Sequence, residues 1–182
     1  MCSSDLANSM LTKRAMVAAL RELLATKPFE RITVAEIARR CGINRQTFYY
    51  HFHDIYDLVS WGIEDQIMSA FMVDRADWQR ALTEVLRTLR DDRLIVLAFM
   101  RSADVTNMYR ILRTHADILA LSILEHSPRC NELPPQDKRL VLDFYAAGFA
   151  EVIIIWLENG CTEEPERLVA RIASMLGRGL LA

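Results

Sequence analysis

The chain has 182 residues, of which 52% are hydrophobic and 25% are charged, and its formal net charge is −2. With only six glycines and five prolines, this composition is typical of a globular protein and argues against low-complexity or disordered segments. The length fits one domain or a small pair with a substantial core. A net charge of −2 does not by itself indicate a nucleic-acid partner.

The cysteines indicate a reducing compartment and no metal site. Cys2, Cys41, Cys130 and Cys161 are widely spaced, and no two lie at metal-ligand or Cys-x-x-Cys spacing. The N-terminus lacks the basic start and apolar region of a secretory signal. The longest apolar run, residues 144–157, is interrupted by a glutamate and is shorter than the ~20 residues of a bilayer span. We therefore expect a cytoplasmic protein without a membrane partner.

The first predicted elements form three short helices. Apolar residues at helical spacing predict a helix over 9–26, which Pro28 ends because the residue before proline is pushed out of the α region. Thr33 and Glu36 have the spacing of a capping box, which sets the start of a second helix. Gly42 then supplies a sharp turn, and Asn44 is a good N-cap for a third helix. The predicted order of elements is therefore a helix, a tight turn and another helix.

The third helix, residues 44–52, has two different faces. Phe48 and Phe52 form an i,i+4 apolar pair that we interpret as packing residues. The other side carries Arg45 and Gln46, which suit guanine and adenine in the major groove, together with polar and aromatic side chains suited to phosphates. The competing interpretation of the tyrosines is that they are partly buried aromatics whose hydroxyl groups reach water.

Positive charge is concentrated in the same region. Residues 1–53 contain eight Lys or Arg and four Asp or Glu, a net charge of +4, whereas the remainder has 14 and 20, a net charge of −6. Such an asymmetry favours phosphate binding by the first part. Short segments also vary by a few charges without function, so the asymmetry only supports the helix pattern.

Residues 32–58, ITVAEIARRCGINRQTFYYHFHDIYDL, resemble the DNA-binding domain of the TetR family of bacterial transcriptional regulators. The resemblance implies an all-helical homodimer with a helix-turn-helix domain and a variable C-terminal domain for effector binding. It also implies a set of DNA-contacting positions, here Thr33, Arg45, Gln46, Thr47, Tyr49, Tyr50 and His51. Ile55 departs from the family pattern, in which a phosphate-contacting lysine is common. The segment is also similar to regulators grouped near the dihydroxyacetone kinase operon activator, some of which respond to a partner protein.

The pattern changes after residue 53. Helical periodicity predicts a connecting helix over 54–72 and further helices over 77–90, 92–100 and 106–125. Soft and aromatic side chains in these helices suit an adaptable apolar effector pocket. The predicted lining is Trp61, Met68, Met72, Trp78, Phe99, Met100, Met108, Tyr109 and His115. For each of these residues an ordinary place in the core is an equally good interpretation.

Two helices close the chain and predict a dimer interface. Three prolines predict a loop over 127–135, followed by a long helix over 136–157 that is apolar nearly all round and therefore needs cover on more than one side. A last helix follows Thr162 and Pro165. We expect the two helices to pair with their symmetry mates in a four-helix interface. The residues predicted at that interface are Phe144, Ala147, Gly148, Glu151, Ile155, Leu168, Ile172 and Met175.

The sequence thus predicts an all-α protein of about nine helices, with a helix-turn-helix domain at 1–53 and an effector-binding and dimerisation domain at 54–182. The predicted function is a dimeric transcriptional regulator of near-palindromic double-stranded DNA, acting as a repressor released by an unidentified small molecule. The alternative is a co-regulator or adaptor of the same fold that responds to a partner protein and acts as an activator. An enzyme fits worst, because no phosphate loop, nucleophile motif or metal-ligand cluster is present, and no cofactor is expected.

Overall fold

The computed structural model describes residues 2–73, 77–101, 105–125 and 127–179, and within these ranges every regular element is helical. Ten α-helices and one 3₁₀ turn are present there, and α8 is a single turn of four residues, which agrees with the predicted all-α class of about nine helices. The elements are α1 (Cys2–Leu24), the 3₁₀ turn (Phe29–Arg31), α2 (Val34–Cys41), α3 (Arg45–His51), α4 (Ile55–Val73), α5 (Trp78–Asp91), α6 (Arg93–Arg101), α7 (Val105–Glu125), α8 (Pro128–Asn131), α9 (Pro135–Glu158) and α10 (Pro165–Gly179).

The predicted loop over 127–135 is partly wrong, because α8 lies inside it. Proline is compatible with the first position of a helix, where its missing N–H would have no intrahelical partner. Pro128 takes that position, and the Ser127 side chain accepts a hydrogen bond from the Cys130 amide as the N-cap. The prolines of this segment therefore begin helices α8 and α9 rather than excluding them.

The domain predicted at residues 1–53, called the DNA-binding unit after that prediction, shares a hydrophobic core with the rest of the chain. The predicted boundary falls between α3 and α4, but buried residues of α1, α3 and α4, such as Leu20, Phe48 and Leu58, belong to one cluster that continues into the C-terminal unit. The backbones of α1 and α4 approach closely at Gly62, where a Cβ atom would lie 3.0 Å from Val17 Cγ2. The DNA-binding unit is therefore packed on the C-terminal unit and not merely tethered to it.

In the C-terminal unit α9 packs mainly along α7, while α10 packs against α5. Arg87 and Arg90 of α5 form ion pairs with Glu166 and Glu164 at the start of α10.

By length and composition α9 is long and apolar enough to cross a bilayer, with a mean hydropathy of 1.9 in its most apolar window and 39% of that window buried in the protein. Because helices from soluble cores pass the same test, one such helix is weak support for a membrane span.

Candidate nucleic-acid interface

The turn between α2 and α3 has the geometry that the sequence predicts. Gly42 adopts φ 68°, a left-handed conformation that favours glycine, and its amide donates to the carbonyl groups of Ala38 and Arg39. The Asn44 side chain then accepts from the Thr47 amide at 2.7 Å and starts α3. These contacts set the direction of α3 relative to α2, since both helix ends are closed by specific hydrogen bonds.

Helix α3 is oriented by two buried phenylalanines. Phe48 is fully buried and Phe52 is 3% exposed, as expected for packing residues. On the other side Arg45 and Gln46 are exposed, and the tyrosines Tyr49 and Tyr50 are 51% and 83% exposed. The free face of α3 therefore presents a guanidinium, an amide and two phenol groups to solvent, which is a set of hydrogen-bond donors suited to base edges and phosphates.

The two predicted threonines are already engaged by the protein. The Thr33 hydroxyl donates to Glu36 Oε2 at 2.8 Å within the capping box, and the Thr47 hydroxyl donates to Asn44 Oδ1 at 3.0 Å. A hydroxyl group has one proton, so neither threonine has a free donor for a phosphate oxygen. Their direct effect is to begin α2 and α3, while the side-chain donors of Arg45, Gln46 and the tyrosines have no partner among the described residues.

His51 is half-buried at the end of α3, with its ring against Tyr50 and Phe52. Burial, and secondarily the charge of Lys13, lowers the pKa of His51 below its ordinary value, so the ring is neutral at pH 7. The Lys13 ammonium itself lies over the rings of Phe52 and Trp61, 5.4 and 5.3 Å from their centroids. His51 can therefore donate one hydrogen bond at neutral pH but carries no positive charge.

Much of the positive charge of the DNA-binding unit is used internally. Ion pairs occupy four of its basic residues, in the pairs Arg14–Asp65, Arg21–Asp92, Lys27–Glu36 and Arg40–Glu22. Within the described ranges Arg31, Arg39 and Arg45 are in no ion pair. They lie at the end of the 3₁₀ turn, in the last turn of α2 and at the start of α3. The unpaired guanidinium groups therefore lie in the helix-turn-helix or directly before it.

Two family models match the chain. Residues 16–60 match the family described as bacterial regulatory proteins of the tetR family, and residues 76–178 match a transcriptional regulator C-terminal region of the same family. The chain belongs to the TetR family. This is a family of bacterial transcriptional regulators, the class that the sequence predicts in preference to an enzyme.

Curated TetR-family relatives match part of the chain. The HTH-type dhaKLM operon transcriptional activator DhaS of Lactococcus lactis is 28% identical over 93 residues, which is 50% of this chain and 49% of the relative. An uncharacterised HTH-type transcriptional regulator of Haemophilus influenzae is 31% identical over 117 residues, 64% of this chain and 51% of the relative. The matches span about half the length of each relative.

Solved structures of the family share the fold over almost the whole chain. The dihydroxyacetone kinase operon activator DhaS has a TM-score of 0.75 at 20% identity, covering 94% of this chain and 97% of that one. The fatty acid degradation regulator FadR from Bacillus halodurans has a TM-score of 0.61 at 17% identity, covering 93% and 96%. At these identities the likeness concerns the fold alone.

The residues predicted to line an effector pocket differ in exposure in this TetR-family protein. Phe99, Met100 and Met108 are buried in the core, and His115 is buried with its Nδ1 2.8 Å from the Ile111 carbonyl oxygen. The others differ in exposure: Trp61 and Trp78 are half-buried, Met68 and Tyr109 are exposed, and the side chain of Met72 lies outside the described part of the chain. Trp61 lines a small polar hollow with Arg14 and Asp65. A shared effector pocket formed by these residues stays a prediction. Phe99, Met100 and Met108 pack as core residues do, whereas Met68 and Tyr109 do not.

The residues predicted at the dimer interface lie mostly on one outer face. Phe144, Gly148, Glu151, Ile155 and Met175 are exposed, and Ala147 and Ile172 are half-exposed. Leu168 is the exception, because it is 7% exposed and packs inside the protomer. Helical periodicity placed Leu168 on the apolar face of its helix but did not show whether the same chain or a second copy covers that face. Its assignment to an intermolecular surface is wrong.

An apolar hollow of about 340 Å³ between α7, α8 and α9 was not predicted. Its lining is Leu121, Leu124, Glu125, Cys130, Asn131, Lys138, Arg139, Val141 and Leu142. No sequence signal distinguishes these residues from core positions, since the hollow arises where the α8 turn holds two helix ends apart. Among the described residues no cluster of His, Cys, Asp or Glu has the geometry of a metal site.

Proposed function

We propose that this protein is a homodimeric, sequence-specific regulator whose two α3 helices bind successive major grooves of a near-palindromic operator. The observation that carries the proposal is the free face of α3, held outward by Phe48 and Phe52. Two such helices roughly 34 Å apart would contact half-sites one helical turn apart. This spacing requires a dimer, so the DNA-binding mode and the dimer interface belong to one proposal.

Within α3 we assign base contacts to Arg45 and Gln46 and phosphate contacts to Tyr49 and Tyr50. Arg45 and Gln46 stand on the first turn, where side chains of a recognition helix approach base edges. The exposed phenol groups can donate to phosphate oxygens without first breaking an internal hydrogen bond, unlike the hydroxyl groups of Thr33 and Thr47. His51 would act at most as a neutral donor.

The dimer is proposed to form through the α9–α10 face, defined as Phe144, Gly148, Val152 and Ile155 on α9 with Ile172 and Met175 on α10. Phe144 and Met175 are 73% and 74% exposed in the protomer. A groove of about 290 Å³ runs between the two helices and is lined almost wholly by apolar side chains. Soluble monomers rarely leave a contiguous apolar patch of this kind uncovered, and a second copy of the same face would cover it.

We further propose that an effector bound in the C-terminal unit releases the protein from DNA, which makes it a cytoplasmic repressor. A ligand can do this only if its affinity differs between DNA-competent and DNA-incompetent states. The second candidate is an activator that responds to a partner protein. It is favoured by the similarity to DhaS, which is a transcriptional activator of the dhaKLM operon. A pull-down with a stoichiometric protein partner and no tight DNA site would favour this second candidate.

Selection of binding sites from random duplex DNA, followed by fluorescence anisotropy at two salt concentrations, tests the DNA-binding proposal. We expect a near-palindromic site bound at nanomolar concentration, with an affinity that falls steeply as salt rises because phosphate contacts release counterions. A folded, dimeric protein that enriches no site with or without cell extract would contradict the proposal.

Two substitutions separate base contacts from phosphate contacts. Gln46→Ala should cost about 1–3 kcal/mol on the selected site and relax preference at one base position. Tyr50→Phe should weaken binding similarly on all sequences, and its 83% exposure predicts an unchanged stability of the fold. Equal losses on all sites for both variants would show that Gln46 does not contact a base.

The α9–α10 face is tested by placing a charge on it. Phe144→Asp should convert the dimer to a monomer in sedimentation velocity, because a desolvated carboxylate would lie opposite apolar groups. Leu94→Asp is the matched control, since Leu94 is 60% exposed on α6 and outside the face. A dimer that survives Phe144→Asp unchanged would place the interface elsewhere.

A further inference from the structure

The hollow between α7, α8 and α9 has the composition of a small-molecule site. Its apolar lining, called here the floor, consists of leucine and valine side chains and the buried Cys130. Three charged residues also line it, namely Glu125, Lys138 and Arg139. At about 30 Å³ per water molecule, a volume of about 340 Å³ accommodates roughly eleven waters, or a ligand of about ten to twelve non-hydrogen atoms. Mostly apolar hollows with a few polar groups are the usual form of ligand sites.

The charged groups of this hollow are of opposite sign and are not paired with each other. Glu125 is the last residue of α7 and Lys138 lies in the first turn of α9, and among the described side chains neither forms an ion pair. Arg139, by contrast, is neutralised by two hydrogen bonds of 3.0 Å to Asp143. The helix dipoles add to both charges, because α9 presents its positive end and α7 its negative end. Among the described lining side chains the hollow therefore has one unpaired group of each sign, called here its positive edge (Lys138) and its negative edge (Glu125).

We propose that this hollow binds a small zwitterion with an apolar side chain, of the chemical class of a hydrophobic α-amino acid. The carboxylate would pair with Lys138, the ammonium would pair with Glu125, and the apolar side chain would occupy the floor formed by residues such as Leu121 and Leu142. A ligand carrying only one charge would leave the other edge without a partner. A ligand without an apolar side chain would leave the floor in contact with water.

A ligand in this position would lie between α7 and α9, the two helices that pack most extensively in the described protein. Helix α9 also carries most of the proposed dimer face, on the side that is exposed. A ligand that changes the angle between α7 and α9 would change the distance between the two recognition helices. This regulatory consequence rests on the proposed function, whereas the binding itself does not.

Isothermal titration of the 182-residue chain with three probes tests the site. The probes are L-phenylalanine, 3-phenylpropionate, which lacks the ammonium group, and phenethylamine, which lacks the carboxylate. We expect L-phenylalanine to bind most tightly, with each truncated probe weaker by roughly tenfold, the change typical of one lost charged hydrogen bond. No saturation by any probe at ~10 mM, in a protein that is folded by circular dichroism, overturns the proposal.

Three variants assign the contacts. Lys138→Gln should weaken L-phenylalanine and 3-phenylpropionate but not phenethylamine, and Glu125→Gln should do the reverse. Leu121→Trp should block all three probes by filling the floor, and its 48% exposure leaves the fold intact. Glu132→Gln, an exposed position outside the hollow, is the control and should change nothing.

The proposal is overturned if neither Lys138→Gln nor Glu125→Gln changes the affinity for any probe. It is also overturned if 3-phenylpropionate binds as tightly as L-phenylalanine. Operator binding measured without probe is independent of these outcomes. If the probes fail and the operator is still bound, only the ligand site is lost and the proposed function stands.

Discussion

The ion pair between Arg21 and Asp92 joins the DNA-binding unit to the junction of α5 and α6. Arg21 donates two hydrogen bonds to the Asp92 carboxylate, at 2.8 and 2.6 Å. Its side chain is 39% exposed, whereas that of Asp92 is 15% exposed. Removing one partner therefore has unequal consequences, because a stranded arginine can be hydrated but a stranded aspartate cannot.

We predict that Arg21→Met costs about 2 kcal/mol of unfolding free energy at pH 7, and that Asp92→Asn costs about 1 kcal/mol. These values lie between the ~0.2–1 kcal/mol of exposed pairs and the ~3–5 kcal/mol of fully buried ones, discounted for the exposure of Arg21. The double variant should cost less than the sum of the two single variants, since each alone disrupts the same pair. Urea unfolding followed by circular dichroism at one fixed protein concentration measures all three.

The cost of Arg21→Met should also depend on pH. Burial raises the pKa of Asp92 above its ordinary value, and Arg21 opposes that rise. Without Arg21 the pKa of Asp92 rises further. An acid with a raised folded-state pKa destabilises the fold when ionised, and this cost is relieved as pH falls through that pKa. The deficit of the variant should therefore be largest at neutral pH and shrink as pH falls through the raised pKa of Asp92.

The matched control is the pair formed by Arg40 and Glu22, whose side chains are 54% and 55% exposed. Arg40→Met should cost less than about 0.5 kcal/mol and show no such recovery at low pH. If Arg21→Met costs no more than this control, or if its deficit stays constant with pH, the argument from unequal exposure is refuted.

Three further outcomes follow from local geometry. The ion pair with Lys27 and the hydrogen bonds from Thr33 lower the pKa of Glu36 to about 2. The stability that ionised Glu36 contributes is therefore present above its ordinary pKa and lost as pH falls through about 2. Glu36→Gln should unfold at a lower temperature than the natural protein at pH 6, and the two unfolding temperatures should converge near pH 2. Gly62→Val should cost about 1–3 kcal/mol in urea unfolding through its clash with α1, whereas Gly148→Val, with no atom within 4 Å, should show a loss only as weaker dimerisation. Asn44→Ala should cost about 1 kcal/mol in the same assay by removing the N-cap of α3, and no loss would show that the cap is not needed.

The DNA-binding unit was largely predictable because its signals are local. The capping box of Thr33, the left-handed Gly42 and the N-cap Asn44 each depend on residues within four positions along the chain. The partners of these hydrogen bonds are therefore specified by the local sequence, while packing against the rest of the protein stabilises the helices. The direction of the free face of α3 followed from the i,i+4 spacing of Phe48 and Phe52, which is also a local property.

The C-terminal unit was predictable only at the level of helices. A methionine or tryptophan at helical spacing shows that a side chain faces a neighbour, but it does not show whether the neighbour is core, cavity or a second molecule. Met108 is buried in the core, Met68 is exposed, and Leu168 is covered within the protomer, although the same kind of pattern identified all three. The hollow beside α8 depends on how two helix ends are held apart, which no periodicity records.

The amino-acid sequence by itself determined the helical class, the helix-turn-helix and the face of α3 that is free, because short-range hydrogen bonds and helical periodicity specify them. The tertiary structure alone decided which basic residues remain unpaired and where a hollow remains. These properties depend on side chains far apart in the chain, such as Arg21 and Asp92, meeting when the helices pack. Packing is cooperative and three-dimensional, so its outcome at any one position is set by neighbours that the local sequence does not contain.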